Sequence, residues 1–151
     1  MNVTTKNFGE INIADEKLIR FPAGIIGFPE LTDFALIHDE DKGPGGIHWL
    51  QSMQEPAFAM PVLDPLTVSE DYNPQVDDEI LKPIGEIKED ELLVLSTVTV
   101  PSDLTKMSVN LKGPFVINAA TRLAVQVILE GEEYPIKFPV YEILKAKKGG
   151  V

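Results

Sequence analysis

The chain has no cysteine, only two histidines and no long apolar run. The absence of cysteine excludes a thiol nucleophile, a thiolate metal ligand and a disulfide, and it is typical of proteins in the reducing cytoplasm. The N-terminus lacks the basic start and apolar stretch of a signal peptide, and no segment approaches the roughly 18 apolar residues of a membrane helix. We therefore expect a cytoplasmic protein that does not enter a membrane.

Motifs of catalysis are missing as well. The two histidines, His38 and His48, have neither the spacing nor the cysteine partners of a zinc site, and the acidic triplets Asp39 to Asp41 and Asp77 to Glu79 lack the spacing of a calcium loop. A Gly-x-Ser-x-Gly elbow, a phosphate loop and a dinucleotide fingerprint are absent. The sequence thus predicts a protein that is not an enzyme and that uses no cofactor and no metal.

Short segments of alternating apolar residues fill much of the chain. Met107 to Leu111 and Leu123 to Leu129 alternate with period two, and the apolar run from Leu92 ends in the β-branched residues Thr97 to Val100. Prolines and glycines separate these segments at intervals of about ten residues, a spacing typical of sandwiches and barrels. We predict an all-β fold, either a sandwich or a barrel.

One helix is expected between Asn73 and Ile87, because Pro74 suits a first helical turn and acidic residues follow it. Ile80, Leu81 and Ile84 would form its inner face, and the helix would have two to three turns. We expect a single domain over residues 1–144, followed by a basic C-terminal tail over 145–151.

Negative charge is concentrated in one part of the sequence. Residues 30–91 contain sixteen Asp and Glu against three Lys, a net charge of −13, whereas the rest of the chain sums to +2. A field of this sign repels nucleic acid and attracts basic proteins, although many acidic runs serve only solubility. We therefore expect no direct nucleic-acid binding, and a basic protein is the first partner to consider.

A surplus of apolar residues lies in turn-like sequence. Residues 21–31, FPAGIIGFPEL, place aromatic and aliphatic side chains among glycines and prolines, and Trp49 lies on a mixed strand face. For this segment and for Trp49, two interpretations stay open: the side chains belong to the core, or they form an exposed patch for a partner.

Three blocks of sequence, FPAGIIGFPEL at 21–31, WLQSMQEPAFAMPVLDP at 49–65 and MSVNLKGPFVINAATRLAVQVIL at 107–129, together resemble the FliW family of bacterial flagellar assembly factors. The segment Leu92 to Pro101 also fits that family. The acidic stretch from Thr67 to Glu91 and the end of the chain from Glu142 carry no motif that matches it.

The resemblance implies a regulator that binds two proteins in turn. Members of the family bind flagellin, the filament subunit, and also CsrA, a small dimeric RNA-binding protein that represses translation of flagellin messenger RNA. Flagellin and CsrA exclude one another, so that export of flagellin frees the regulator to bind CsrA and relieve repression. The family's fold is a compact, mostly antiparallel β-barrel, so the resemblance implies an all-β, mostly antiparallel fold, a small closed or partly open β-barrel with one short helix.

Two hypotheses about sites follow from this resemblance. For CsrA, we expect the acidic block to repel RNA without covering its site, through residues Asp39, Glu40, Asp41, Glu70, Asp71, Asp77, Asp78, Glu79, Glu89, Asp90 and Glu91. For flagellin, we expect an amphipathic helix to bind an apolar groove, with contacts from Phe21, Ile25, Ile26, Phe28 and Trp49.

Two rival functions remain at this level. A small-ligand-binding β-barrel would need converging polar groups, for which Asn110, Asn118, Thr121 and Arg122 are the candidates. A metal-dependent hydrolase would have to use Asp39, Asp41 and His48.

Overall fold

The computed structural model describes residues 2–6, 8–37 and 47–149. The strands are β1 (Asn2–Thr5), β2 (Gly9–Asn12), β3 (Ile19–Arg20), β4 (Asp33–Ile37), β5 (His48–Ser52), β6 (Ala59–Leu63), β7 (Leu92–Thr99), β8 (Ser108–Val109), β9 (Phe115–Asn118), β10 (Leu123–Gln126) and β11 (Phe138–Pro139). The helices are α1 (Asp78–Leu81) and α2 (Tyr141–Gly149), and short 3-10 turns occur at Asp15–Lys17, Pro65–Thr67, Lys82–Ile84, Glu89–Glu91 and Leu104–Lys106. None of the helices in these ranges is long and apolar enough to span a bilayer.

A ring of seven strands forms a closed barrel in the order β3, β4, β5, β6, β7, β9, β10 and back to β3. Each pairing in the ring is antiparallel except that of β10 with β3, where Leu123 lies opposite Arg20 in parallel. β8 and β11 extend from β7 as a flap, and β1 with β2 forms a separate hairpin. The predicted mostly antiparallel β-barrel is therefore confirmed.

The barrel interior is filled by side chains that point inward from alternate strand positions. Phe21 lies at its centre, with its ring 5.5 Å from that of Phe34 and 5.2 Å from that of Phe115, both in edge-to-face contact. Such aromatic pairs stabilise a core by about 0.5–1.5 kcal/mol each beyond the area they bury. Leu50 and Leu95 complete the packing, so that the interior is a solid core, as expected for a barrel of few strands.

The outer face of the barrel is covered in two places. Val98 and Val116 pack under the chain segment that connects β6 to β7, under the β8–β11 flap and under Leu144 of α2. On the other side, Leu18 and Ala35 pack under the β1–β2 hairpin. Several strands are consequently buried on both faces, as in β9, where all four residues are buried.

Two predicted strands differ from those observed. The strand predicted over Met107 to Leu111 is regular only at β8, although the Asn110 N–H still donates to the Thr97 carbonyl of β7 at 3.0 Å. Ser108, predicted to face outward, is buried, because this part of the sheet is covered on both faces. The strand predicted over Leu123 to Leu129 ends at Gln126. An alternating pattern predicts which residues lie on one face, but it does not predict how far the ladder extends.

The helix predicted between Asn73 and Ile87 is shorter than expected. It consists of the four residues of α1 and the 3-10 turn Lys82–Ile84, and it ends at Gly85, whose φ of +85° favours glycine. Ile84 is buried and Leu81 half-buried, but Ile80, predicted on the inner face, is exposed. At the other end of the chain, residues 145–149, which belong to the predicted tail, continue α2.

Candidate functional site

The segment between β6 and β7, residues 64–91, lies across the outer face of the barrel, and we call it the acidic strap. It contains ten Asp and Glu against two Lys. Apolar side chains anchor it to β7, β9 and β10; they are Val68, Tyr72, Val76, Leu81, Ile84 and Ile87. Because these anchors point to the barrel, the acidic side chains between them point to solvent.

A buried asparagine ties the second half of the strap to the end of β9. The side-chain amide of Asn118 donates hydrogen bonds to the carbonyl oxygens of Ile84 at 2.9 Å and Glu86 at 3.1 Å. Its Oδ1 accepts from the backbone N–H groups of Ala120 and Thr121, and the Thr121 hydroxyl donates to the Ile84 carbonyl at 3.0 Å. The amide nitrogen of Asn118 therefore holds the strap, while its Oδ1 holds the turn that follows β9.

Tyr72 anchors the first half of the strap. Its hydroxyl donates to the Leu111 carbonyl at 2.7 Å, and its ring meets that of Tyr134 at 4.7 Å. The Tyr134 hydroxyl in turn accepts from the Asn73 N–H at 3.2 Å. Burial, and to a lesser extent the neighbouring Tyr134, raise the pKa of the Tyr72 phenol well above its ordinary value. The phenol is thus held neutral as a donor.

The acidic residues predicted to act on RNA have different positions. Six of them lie exposed along the strap: Glu70, Asp71, Asp77, Asp78, Glu79 and Asp90. Glu91 is half-buried at the start of β7, while the Glu89 side chain and the triplet Asp39, Glu40 and Asp41 lie outside what the structure describes. Lys82 lies 2.9 Å from Glu79, an exposed contact that stabilises little. The strap thus presents a row of solvent-exposed carboxylates.

A groove of about 640 Å³ separates the strap from β7 and β9. Its walls are mostly apolar, and the lining residues are Asp64, Pro65, Leu66, Tyr72, Asn73, Pro74, Gln75, Val76, Leu81, Leu92, Leu93, Val94, Pro114 and Val116. None of them is basic. Asp64 lines the groove directly, with one carboxylate oxygen accepting from the Leu66 N–H at 2.9 Å.

The apolar segment 21–31 is divided between core and surface. Phe21 and Ile25 are buried and are therefore unavailable to a partner, whereas Ile26 and Phe28 are exposed. Ile25 and Phe28 exchange backbone hydrogen bonds of 3.3 and 2.9 Å, so that Ile26 stands at the tip of a tight turn. The Ile26 N–H donates to Gln126 Oε1 at 2.9 Å, which fixes the turn against β10.

Phe28 and Trp49 have separate surroundings. The Phe28 ring packs edge-on against Phe58 at 4.9 Å, and together with Ile26 it forms a small apolar patch. Trp49 is half-buried on the outer face of β5, opposite Ile37, with its ring 5.9 Å from that of Phe8. Of the five residues predicted to bind a partner, the structure leaves Ile26 and Phe28 as the exposed pair.

The polar groups of the rival ligand site do not converge on a common cavity. Asn110 accepts from the N–H groups of Lys112 and Gly113 in its own turn, and Asn118 and Thr121 hold the strap. The Arg122 guanidinium donates to the Lys17 carbonyl at 2.7 Å, beside a separate cleft. These four side chains therefore serve the protein's own backbone.

Within the described ranges, no three His, Asp or Glu side chains come together as a metal site would require. Asp39 and Asp41 of the rival hydrolase site lie outside these ranges.

Sequence reasoning identified two of the anchors, Leu81 and Ile84, as the inner face of the predicted helix, but it did not identify the groove or the other anchors, although a signal was present. Every fourth residue from Val68 to Ile84 is apolar, namely Val68, Tyr72, Val76, Ile80 and Ile84. A regular apolar spacing inside an acidic segment indicates one face in contact with the protein. Only Ile80 departs from it, because Leu81 takes its place against the barrel.

Comparison with known proteins gives one family throughout. The family model described as FliW protein matches residues 2–140. The flagellar assembly factor FliW of Lachnoclostridium phytofermentans is 44% identical over 94% of this chain and 92% of its own length, and that of Lachnospira eligens is 42% identical over 98% and 99%. A crystal structure of the flagellar assembly factor FliW superimposes with a TM-score of 0.85 at 30% identity, covering 93% of this chain and 96% of that one.

Proposed function

Because the chain belongs to the FliW family of flagellar assembly factors, we propose that it acts in the cytoplasm by binding proteins and not by catalysis. Its partners are CsrA, whose RNA binding it antagonises, and flagellin, which competes with CsrA for it. Flagellin export then leaves the factor free to bind CsrA and to relieve translational repression of flagellin.

The observation that carries the CsrA part of this proposal is the acidic strap. Its carboxylates face solvent because the apolar anchors and the Asn118 hydrogen bonds hold its other side on the barrel. An RNA-binding protein must present basic surface to phosphates, and basic surface is attracted to such a row of carboxylates. The same carboxylates, once beside the RNA site, repel the phosphates.

The size of this repulsion follows from the exposure of the charges. Two unit charges about 8 Å apart in water interact by about 0.5 kcal/mol, which screening at cellular salt reduces to about 0.2 kcal/mol. A group of about six carboxylates at that distance from one phosphate raises its free energy by about 1 kcal/mol, or about a fivefold loss of RNA affinity. Several phosphates would bring the coupling toward about 3 kcal/mol, within the usual range for linked sites.

The test is a charge-neutralised strap variant, in which the carboxylates of the strap are changed to amides at Asp77, Asp78, Glu79, Glu89, Asp90 and Glu91. A matched control neutralises the same number of exposed carboxylates elsewhere, at Glu10, Glu16, Glu130, Glu132, Glu133 and Glu142. The affinity of CsrA for flagellin leader RNA is measured with each variant at saturation and at two salt concentrations. We expect the strap variant to lose most of the antagonism and the control to keep it; equal antagonism by both variants, with CsrA bound, would refute repulsion.

For flagellin, the exposed pair Ile26 and Phe28 supports an apolar contact with a terminal helix of the subunit. Phe28→Ala should weaken flagellin binding about tenfold, as truncation of an aromatic contact commonly does. Binding is measured by titration calorimetry alongside thermal unfolding. A drop in melting temperature with unchanged affinity of the folded protein would assign Phe28 to the packing against Phe58 instead.

A further inference from the structure

The groove between the acidic strap and β7 combines apolar walls with an acidic border. Leu66 and Leu92 stand on its walls with 51% and 48% of their surfaces exposed, beside Leu93 and Val94 of the same strand. Exposed apolar side chains gathered in one concave site are typical of places where a partner binds. The volume of about 640 Å³ is within the range of a binding pocket.

One carboxylate, that of Asp64, lines this groove, and other acidic residues adjoin its lining residues in the chain. Asp71 directly precedes Tyr72, Asp77 directly follows Val76, and Glu91 directly precedes Leu92. A nucleic acid or an acidic peptide would meet like charge here. A segment whose apolar side chains alternate with Lys or Arg would satisfy both the walls and the border.

We propose that this groove is the docking site for a short segment of a basic protein, whose aliphatic or aromatic side chains enter between the strap and β7 while its flanking Lys or Arg residues meet the bordering carboxylates. This inference rests on the proposed function, since the basic partner is CsrA. The inference adds the place of contact, and it explains how the acidic strap both binds CsrA and repels RNA. Docking in the groove puts the partner's basic surface next to the carboxylates that repel RNA.

The decisive variant changes both exposed leucines of the groove, Leu66→Ser with Leu92→Ser. The matched control changes two equally exposed side chains that do not line it, Leu104→Ser with Ile136→Ser, which are 52% and 60% exposed. Both double variants remove similar apolar surface. Affinity for CsrA, measured by calorimetry, should fall at least about tenfold in the groove variant and less than about twofold in the control.

A second variant tests the border without touching the apolar walls. Asp71→Asn with Asp77→Asn should weaken binding several-fold at low salt and flatten the dependence of affinity on salt, because screening acts on exposed charges. This variant keeps the inference testable if Leu92→Ser destabilises β7. Overlapping peptides of CsrA, titrated against the wild-type chain, should locate the bound segment as one with apolar and basic residues interspersed.

The outcomes separate the inference from the proposed function. If the wild-type chain, the groove variant and its control variant bind CsrA equally, the groove is not the docking site, but the proposed function stands. If the wild-type chain does not bind CsrA, the proposed function itself fails. If the chain self-associates and only the groove variant abolishes this, the occupant of the groove is a second copy of the chain. If a small metabolite stabilises the chain and the same variant abolishes this, the groove is a ligand pocket. Either result would overturn the inference.

Discussion

The replacement of Asn118 by alanine tests how the acidic strap is held on the barrel. Asn118 is fully buried at the end of β9, and its side chain makes four hydrogen bonds: two donated to the strap and two accepted from the turn that follows β9. Alanine removes all of them. The carbonyl oxygen of Ile84 would keep the Thr121 hydroxyl as a donor, whereas the other three backbone groups would lose this partner.

The expected cost follows from where those three groups lie. A buried polar group without a partner costs about 1–3 kcal/mol, and less where water can reach it. Glu86, Ala120 and Thr121 are exposed residues, so about 1 kcal/mol for each backbone group is appropriate, or about 3 kcal/mol in total. For a domain of this size, 1 kcal/mol corresponds to about 2–4 °C. We therefore expect the melting temperature to fall by about 6–12 °C.

Two measurements check this prediction. Thermal unfolding gives the total effect, and amide hydrogen exchange should show faster exchange in residues 82–87 than in the barrel strands, because the strap loses its attachment. The control is Thr121→Val, which removes the second donor to Ile84 and a 3.3 Å acceptor of the Leu123 N–H but keeps the Asn118 bonds to the strap, and it should cost about 1 kcal/mol. If Asn118→Ala shifted the melting temperature no more than this control and left strap exchange unchanged, the assigned role of Asn118 would be wrong.

Two further predictions concern the turn at 21–31 and the tyrosine anchor. Gly24→Ala should destabilise the protein far more than Gly27→Ala. Both glycines have positive φ, which costs an alanine about 1–2 kcal/mol of backbone strain, but only a Cβ at Gly24 would also clash, with the Pro29 backbone, since a Cβ at Gly27 meets nothing within 4 Å. Equal shifts of the melting temperature in the two variants would contradict this. The raised pKa of Tyr72 favours the neutral phenol in the folded state. The contribution of Tyr72 to the free energy of unfolding is therefore complete below pH of about 10, where the unfolded phenol begins to ionise, and it is lost as pH rises further. Tyr72→Phe should lose about 1 kcal/mol of stability at neutral pH, because the hydrogen bond to Leu111 is removed. In denaturant unfolding, the free energy of unfolding of this variant should fall less steeply above pH of about 10 than that of the wild type. Parallel declines would show that Tyr72 does not titrate this way.

Strand periodicity was sufficient to predict an all-β fold but not the exposure of particular side chains. The apolar run from Leu92, predicted to be a strand, forms β7 over Leu92–Thr99. In segment 21–31, however, the same residue types are found buried and exposed: Ile25 lies in the core and Ile26 at the tip of a turn. The difference arises from a tight turn closed by hydrogen bonds between Ile25 and Phe28, and no apolar pattern predicts which residue stands at such a tip.

The closure of the barrel also depends on contacts between distant residues. β3 is only two residues long, and its parallel pairing with β10 joins Arg20 to Leu123 across most of the chain. Local sequence carries little signal for so short a strand. The family motifs predicted the fold where periodicity could not, because they match a family whose members share it.

The charge distribution shows which properties the sequence determines and which depend on the fold. The amino-acid sequence alone determined that residues 30–91 carry a net charge of −13 and that the chain should repel nucleic acid. Only the tertiary structure decided that the carboxylates of the strap point to solvent, because Tyr72, Ile84 and the other anchors are buried against the barrel and Asn118 holds the strap backbone. Burying apolar side chains is favourable and burying unpaired carboxylates is not, so the strap can pack only with its acidic side toward solvent.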